Sequence, residues 1–504
     1  MAADGYLGAL DIGTSSVRAL LFDTDATQVP GVEVHLPYQP RVDGDGTYET
    51  DAGRLFVLVT SAVDALLHAA GARRRQRIRA IGVSTFWHGL VAADARAHPL
   101  SPLYLWADTR SWRQSDELRR AIDPDELHQR TGCLVHPTYW PAKLLWLRDS
   151  QPDLWRRKPL FLSFWDIVHR RLFGSPVTSV SMASGTGLLD LRQVRWDPSL
   201  LDFLEIDEHR LASLGEAGQG LLPQYATRWP ELKDIPWLCA AGDGALANLG
   251  SNCVDPTQRA LTVGTSGALR VLYRGMPERV PDGLWCYRLD RERVVVGGAL
   301  SNGGNLYAWM TRTLAADRST LEQSLRKMKP AATGLTFVPL LAGERSPGFA
   351  SHATGSIAGL TQATTAVDII RAGLEATAIE FSRVDKPLDT VLPGARRLIA
   401  NGAGLLASPA WMQMMADAIG KPVAESKARE ASSRGASILA GEFIGVLKGE
   451  RIRAEVGRTY RVNAAARAAY AREALRQQEL YRLLVGERAL DAILKDPTKT
   501  GGDR

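Results

Sequence analysis

A short segment occurs twice in this 504-residue chain, with the second copy beginning near the midpoint. Residues 10–22 read LDIGTSSVRALLF and residues 261–273 read LTVGTSGALRVLY, and five of the thirteen positions are identical. Each copy places a Gly-Thr-Ser turn between two apolar runs, which is the pattern of a β-hairpin. The spacing favours duplication of a whole lobe, and a chain this long exceeds what a single core normally supports.

Around the two hairpins, short apolar strands alternate with longer helical stretches, which is typical of an α/β protein. We predict an N-terminal lobe over residues 1–253 and a C-terminal lobe over 254–450, meeting near Val254-Asp255-Pro256 with a cleft between them. Residues 451–504 are predicted to form a terminal helix, centred on 470–484 and packed on the second lobe, followed by a frayed tail over 495–504.

The repeated turns suit phosphate binding. Glycine lets the backbone N–H groups of a turn converge, and the neighbouring hydroxyls add donors. A single such turn is more often structural, but two facing turns could hold a polyphosphate from both sides. The predicted phosphate-binding residues are Gly13, Thr14, Ser15, Gly264 and Thr265.

The two copies differ in charge. Asp11 in the first copy becomes Thr262 in the second, and Arg18 adds a cation to the first copy only. One carboxylate beside a phosphate-binding turn is a reasonable Mg²⁺ ligand, whereas a second would repel the phosphates. Asp11 is therefore a predicted metal ligand and Arg18 a predicted nucleotide contact.

Composition excludes several other classes. A net charge of +6 is small for this length, so we expect no nucleic-acid partner. The four cysteines form no CxxC pair, which argues against a disulfide framework or zinc site. The early first strand leaves no room for a signal peptide, and no apolar run approaches the length of a bilayer span. We predict a soluble cytoplasmic protein without a membrane partner, monomeric or homodimeric.

Further motifs follow the first hairpin in a recognisable order. They include GVSTFWHGLV (82–91), LWADTRSW (105–112), SMASGTGLLDL (181–191) and AAGDGALANLG (240–250), followed after the second hairpin by GGALSNGGNLYAW, LLAGERSPGF and SPAWMQMMADAIGKPV. From residue 7 to residue 484 the chain resembles the FGGY carbohydrate kinases. That resemblance implies two ribonuclease-H-like lobes of the actin, hexokinase and Hsp70 ATPase type, and ATP-dependent phosphorylation of a small sugar or sugar acid with Mg²⁺.

Within the family, WADTRS, MASGTGLLDL, GDGALANLG and VGTSGALR look most like gluconokinases. The resemblance therefore implies phosphorylation of D-gluconate to 6-phosphogluconate. A xylulokinase or another pentulose or polyol kinase of the same family is the alternative.

The family motif implies that Asp243 of the Gly-Asp-Gly segment is the catalytic base and shares the Mg²⁺ site with Asp11. A base must reach the attacking hydroxyl in line with the γ-phosphate, and a carboxylate can accept that proton late in the reaction. Without the family motif, a turn aspartate is an equally good interpretation, since Gly-Asp-Gly is common turn chemistry. The flanking Gly242 and Gly244 are expected to let substrate and phosphate approach the backbone closely.

The same resemblance implies a sugar-binding set. His88, for example, could instead be a core histidine among aromatic rings, and Asp108 with Arg110 could brace a loop rather than line the pocket. Arg110 could bind a sugar carboxylate through its two-pronged guanidinium. The implied substrate contacts are Trp87, His88, Trp106, Asp108, Arg110, Thr138 and Gly244.

On the nucleotide side the match implies Gly264, Thr265 and Gly304 near phosphates and ribose, and Gly404 and Ser408 near the adenine. Glu344 and Arg345 are expected to form an internal salt bridge, with a role in the cleft as the alternative.

Two rival functions remain open from the sequence. An ATPase switch of the Hsp70 or actin type would leave the Trp87-His88 loop without a role. A non-catalytic sugar sensor would need no catalytic base, yet both Asp11 and Asp243 are present.

Overall fold

The computed structural model describes residues 5–350, 353–447, 452 and 455–487. The tail predicted over 495–504 lies outside the described residues.

The part of the chain up to Gly250 forms one large sheet, several smaller sheets and surrounding helices. Its strands are β1 (Tyr6–Ile12), β2 (Ser16–Asp23), β3 (Gln28–Pro37), β4 (Arg41–Val42), β5 (Tyr48–Thr50), β6 (Ile78–Thr85), β7 (Val91–Ala93), β8 (Leu103–Tyr104), β9 (Leu160–Leu162), β10 (Val177–Thr178), β11 (Leu189–Asp190), β12 (Arg195–Trp196), β13 (Ser213–Leu214), β14 (Ala217–Gly218), β15 (Trp237–Leu238) and β16 (Ala241–Gly242). Its helices are α1 (Ala52–Arg75), α2 (Trp112–Ala121), α3 (Pro124–Thr131), α4 (Trp140–Ser150), α5 (Pro152–Arg156), α6 (Phe164–Phe173), α7 (Val180–Ser184), α8 (Pro198–Phe203), α9 (Pro223–Arg228) and α10 (Asp243–Gly250).

The second part of the chain forms another large sheet with its own helices. Its strands are β17 (Gln258–Val263), β18 (Gly267–Arg274), β19 (Trp285–Arg288), β20 (Arg293–Leu300), β21 (Thr336–Val338), β22 (Ser356–Ala358), β23 (Arg397–Asn401), β24 (Val423–Ser426) and β25 (Val456–Tyr460). Its helices are α11 (Gly304–Thr313), α12 (Arg318–Lys327), α13 (Ala366–Val391), α14 (Ala403–Leu406), α15 (Pro409–Ile419), α16 (Ala431–Phe443) and α17 (Ala464–Tyr481).

The two large sheets repeat one arrangement around the two hairpins. In the first sheet the order is β14-β15-β6-β1-β2-β3, with β16 also pairing with β6. In the second sheet the order is β19-β20-β18-β17-β23-β24-β25. Each hairpin is antiparallel, and its first strand pairs in parallel with a strand from later in the chain, β6 or β23. The sequence repeat therefore corresponds to a repeated sheet topology.

Helix α16 packs against the first sheet, although in the chain it lies between β24 and β25 of the second. It contacts β1, β6 and especially α10. Glycines permit this close approach, since a Cβ on Gly82 would lie 2.0 Å from the carbonyl oxygen of Ala436. The predicted domain boundaries remain a prediction, and this helix ties the two parts of the chain together.

Helix α1 is a core helix on the first sheet. Asp51 caps its N-terminus by accepting a hydrogen bond from the Arg54 N–H, and the face that includes Leu55, Val59 and Val63 is buried. Within the described residues it is the one helix long and apolar enough to cross a membrane, contrary to the expectation that no such segment exists. Half of its most apolar stretch is buried inside the protein, so length and composition alone are weak evidence for a membrane span.

Candidate active site

A cavity of about 370 Å³ lies between the two sheets and is lined by residues from both parts of the chain. The first part contributes Thr14, Phe86, Trp87, His88, Trp106, His136, Thr138, Tyr139, Asp243, Gly244 and Ala247. The second contributes Thr262, Gly264, Thr265, Ser266, Gly267, Ala268, Arg270, Trp285, Tyr287, Ala299, Arg345, Phe349 and Ser432. The cavity thus brings both Gly-Thr-Ser turns together with the Trp87-His88 loop and Asp243.

Asp243 is the first residue of α10, directly after β16. Its Oδ1 accepts a hydrogen bond from the Gly244 N–H at 2.6 Å, and the helix N-terminus favours a negative charge there. Burial raises the pKa of Asp243, and the nearby Arg270 charge opposes the rise. Asp243 therefore faces the cavity as a carboxylate whose proton affinity exceeds that of an exposed aspartate.

The glycines beside Asp243 leave no room for a side chain. A Cβ on Gly242 would lie 1.8 Å from the Trp87 indole, and one on Gly244 would lie 2.3 Å from Nη1 of Arg270. That substrate and phosphate approach the backbone at these glycines stays a prediction. Gly244 still lines the cavity.

Asp11 reaches the same edge of the sheet as Asp243. Asp11 lies opposite Ser84 in the β1–β6 pair, and Gly242 lies opposite Thr85 in the β16–β6 pair. Burial raises the pKa of Asp11 to about 6, and the charge of Asp243 adds to the rise. Two buried carboxylates that repel each other next to the predicted phosphate-binding turns suit a hydrated Mg²⁺ ion. Among the described residues, no group of three or more potential ligands forms a dedicated metal cage.

The Trp87-His88 loop follows β6 and forms an aromatic wall. The Trp87 Nε1–H donates to the Ser181 carbonyl at 3.0 Å, and its ring lies 4.9 Å from that of Tyr287. His88 adopts a φ of +69° and places Nδ1 2.5 Å from the Gly185 carbonyl oxygen, so Nδ1 carries the proton. Burial lowers the pKa of His88 to about 3, so the ring is neutral and Nε2 is left as an acceptor.

Trp106 and Thr138 also line the cavity and are held to each other. The Thr138 hydroxyl donates to the Trp106 carbonyl at 2.8 Å, and its backbone N–H donates to Nδ1 of His136 at 3.2 Å. Burial lowers the pKa of His136 to about 3, so a neutral His136 presents a protonated Nε2. Sequence reasoning did not single out His136.

Asp108 and Arg110 do not line the cavity. The Arg110 guanidinium donates to both carboxylate oxygens of Asp108 and, at 2.6 Å, to Glu49. It also lies over the rings of Tyr104 and Trp146. These contacts match the bracing alternative, because the guanidinium is already shared by two carboxylates.

Two arginines, the buried Arg270 and the partly buried Arg345, occupy the cavity instead. Arg270, from the second hairpin, donates to the Thr262 hydroxyl at 2.9 Å. Arg345 lies over the Trp106 ring at 4.7 Å. The expected salt bridge with Glu344 is wrong, because the Glu344 carboxylate accepts from Tyr481 and from two backbone N–H groups. The GERSP and TSGALR segments were the available signals, but residue type alone did not show which arginines face the cavity.

Three backbone segments converge beside the second Gly-Thr-Ser turn. The Gly304 N–H donates to the Gly264 carbonyl at 2.9 Å, and a Cβ on Gly304 would lie 2.4 Å from that oxygen. Gly404 lies against the same turn, with its Cβ position 3.4 Å from the Val263 carbonyl oxygen. Ser408 instead caps α15 and donates to Glu322 at 2.7 Å, so its hydroxyl is engaged within the protein.

The structure also shows the surroundings of the other residues predicted to act in the first hairpin, and of the cysteines. Gly13 closes the turn through a hydrogen bond from its N–H to the Ser16 carbonyl, and Ser15 is exposed at its tip. Arg18 lies 3.9 Å from Asp11 and 3.0 Å from Glu430, bridging the first hairpin to the segment before α16. The four cysteines are buried and unpaired, as the absence of CxxC motifs predicts.

The chain matches two models of known protein domains. Residues 6–250 match the N-terminal domain, and residues 260–442 the C-terminal domain, of the FGGY family of carbohydrate kinases. A gluconokinase of Bacillus subtilis is 28% identical over 477 residues, covering 90% of this chain and 91% of that protein.

Solved structures show the same two-lobed fold. The crystal structure of gluconate kinase from Lactobacillus acidophilus superposes with a TM-score of 0.88 at 25% identity, covering 96% of this chain and 99% of that one. The ligand-bound xylulose kinase from the same organism gives the same TM-score, identity and coverage. The predicted fold of two ribonuclease-H-like α/β lobes is confirmed.

Proposed function

We propose that this chain, which belongs to the FGGY family of carbohydrate kinases, transfers the γ-phosphate of ATP to D-gluconate and yields 6-phosphogluconate. The single observation that carries the phosphoryl transfer is Asp243, which faces a cavity between the two Gly-Thr-Ser turns. The choice of gluconate is supported by the similarity to the Bacillus gluconokinase and the Lactobacillus gluconate kinase.

In the proposed reaction Asp243 accepts the proton of the attacking hydroxyl. As the new oxygen–phosphorus bond forms, the bond between the γ-phosphorus and the oxygen of the departing ADP breaks. Backbone N–H groups and hydroxyls of the two turns stabilise charge on the transferring group, and the aromatic wall around Trp87 excludes water. Neutral His88 and His136 offer one acceptor and one donor to the hydroxyls of the sugar.

Asp11 and Asp243 are the residues that would hold Mg²⁺, as hard oxygen ligands at the ends of β1 and β16, the two strands that both pair with β6. When bound, the ion supplies positive charge that offsets the charge of the phosphates.

We expect substitutions in the two hairpins to change the Mg²⁺ dependence of the reaction rate unequally. Asp11→Ala should raise the Mg²⁺ concentration for half-maximal rate several-fold, because a charged ligand is lost. Thr262→Ala, the matched change in the second hairpin, should leave that concentration nearly unchanged, because its hydroxyl is bound to Arg270. Equal shifts in a Mg²⁺ titration would show that Asp11 has no special role.

Substrate preference tests the proposed function directly. D-gluconate should exceed D-xylulose, glycerol and neutral pentitols in kcat/KM by at least about tenfold, the scale of one charge-assisted contact. Coupled detection of ADP with each sugar, and without sugar, measures this. A tenfold advantage for xylulose would favour the xylulose kinase alternative, whose solved relative superposes equally well. Sugar-independent ADP release would instead indicate an ATPase.

A further inference from the structure

We infer that Arg345 binds the carboxylate of the substrate and that Arg110 does not. The inference rests on the proposed function, because it assigns the residue that distinguishes a sugar acid from a neutral sugar. It concerns the loop after β21, which contains the GERSP segment and extends into the cavity from the second part of the chain.

Arg345 has unused hydrogen-bonding capacity in a partly buried position. Its Nη2 donates to the Leu300 carbonyl at 3.1 Å, and its buried Nε has no partner. No carboxylate within the described ranges lies within salt-bridge distance of the guanidinium, whereas Arg110 has two. A partly buried guanidinium without an ion-pair partner is available to a ligand anion, which would also satisfy its free Nε–H.

The balance of charge around the cavity points the same way. Its lining includes one carboxylate, Asp243, and two guanidinium groups, Arg270 and Arg345. Of the two arginines, Arg270 influences Asp243 more strongly, since its charge is the largest effect that opposes the rise in the pKa of that carboxyl. Arg345 is therefore the surplus cation, and burial lowers its pKa only to about 10, so it stays charged at neutral pH.

The two arginines contact different neighbours in the site. Arg270 contacts Gly244 and Thr262, next to the base and the second Gly-Thr-Ser turn. Arg345 stacks on Trp106, and Phe349, four residues further along its loop, packs on the ring of His136. Gluconate carries its carboxylate and the reacting hydroxyl at opposite ends of its carbon chain. This arrangement would place the reacting hydroxyl of gluconate near Asp243 and its carboxylate near Arg345.

The test compares D-gluconate with D-glucitol, which replaces the carboxylate by a neutral hydroxymethyl group. In Arg345→Gln we expect kcat/KM for gluconate to fall about ten- to a hundredfold, the usual value of a charge-assisted pair. The kcat/KM for glucitol and the KM for ATP should change less than about threefold. Arg345→Lys keeps the charge but loses the two-pronged geometry, so an intermediate loss is expected.

Arg110→Gln is the matched control, expected to lower the melting temperature without changing the ratio of gluconate to glucitol activity. Melting curves establish whether each variant is folded. If Arg345→Gln is not folded, the comparison of gluconate with glucitol is made with Arg345→Lys instead. A gluconate preference that survives both Arg345 changes would overturn the inference and leave the proposed function standing. A rise in KM for ATP alone would make Arg345 a phosphate ligand and also overturn it. Wild-type preference for glucitol would overturn both.

Discussion

Asp243→Asn is expected to lower kcat by at least about a hundredfold, the scale for loss of a general base. The amide keeps the size of the side chain but cannot accept the proton of the attacking hydroxyl. Binding of gluconate and ATP should stay within a few-fold, because the Trp87-His88 loop and the two turns are unchanged. Steady-state kinetics and calorimetric titration of each ligand measure the two effects separately.

Asp11→Asn is the matched control for that experiment, since it removes the other carboxylate at the same edge of the sheet. Higher Mg²⁺ should restore part of the rate in Asp11→Asn and none of it in Asp243→Asn. Turnover of Asp243→Asn within tenfold of the parent enzyme would remove Asp243 from the role of base.

Gly435→Ala is expected to destabilise the protein by at least about 2–3 kcal/mol, the upper part of the range for overpacked sites. Helices α10 and α16 cross at two glycines. A Cβ on Gly435 would lie 1.9 Å from the Leu246 carbonyl oxygen, and one on Gly250 would lie 1.9 Å from the Ala431 carbonyl oxygen. Backbone cannot repack as a side chain can, so the helices must separate. Because α10 begins at Asp243, kcat should fall as well.

Gly486→Ala is the control, because a Cβ there meets nothing within 4 Å and the residue lies at the end of a short π-helix, Arg482–Gly486. Its melting temperature should match that of the parent. A Gly435→Ala variant that also melts with the parent would show that the crossing of α10 and α16 tolerates a side chain.

Local sequence patterns gave reliable predictions where all the residues that determine a structure lie within one short segment. The Gly-Thr-Ser hairpins are such segments, since strand, turn and strand follow each other directly, and both occur as predicted. Trp87, His88, Trp106, Thr138 and Asp243 were named from motifs, and the structure brings them to one cavity. Their roles in binding and catalysis remain predictions until the variants are measured.

Arginine partners could not be predicted in this way. Arg110 pairs with Glu49, which lies 61 positions away, and Arg345 stacks on Trp106 from the other part of the chain. By charge and residue type, both arginines were equally suitable for binding a ligand carboxylate. Only the packing of distant segments decides which guanidinium is already neutralised.

Sequence alone was enough to predict the duplicated α/β architecture, the two Gly-Thr-Ser hairpins and the aspartate of the Gly-Asp-Gly segment, because each depends on residues close together in the chain. The tertiary structure alone decided that Arg345 and His136 face the cavity, that Arg110 braces a loop, and that α16 crosses back onto the first sheet. The physical reason is that burial and ion pairing depend on neighbours in space, and those neighbours come from segments far apart in the sequence.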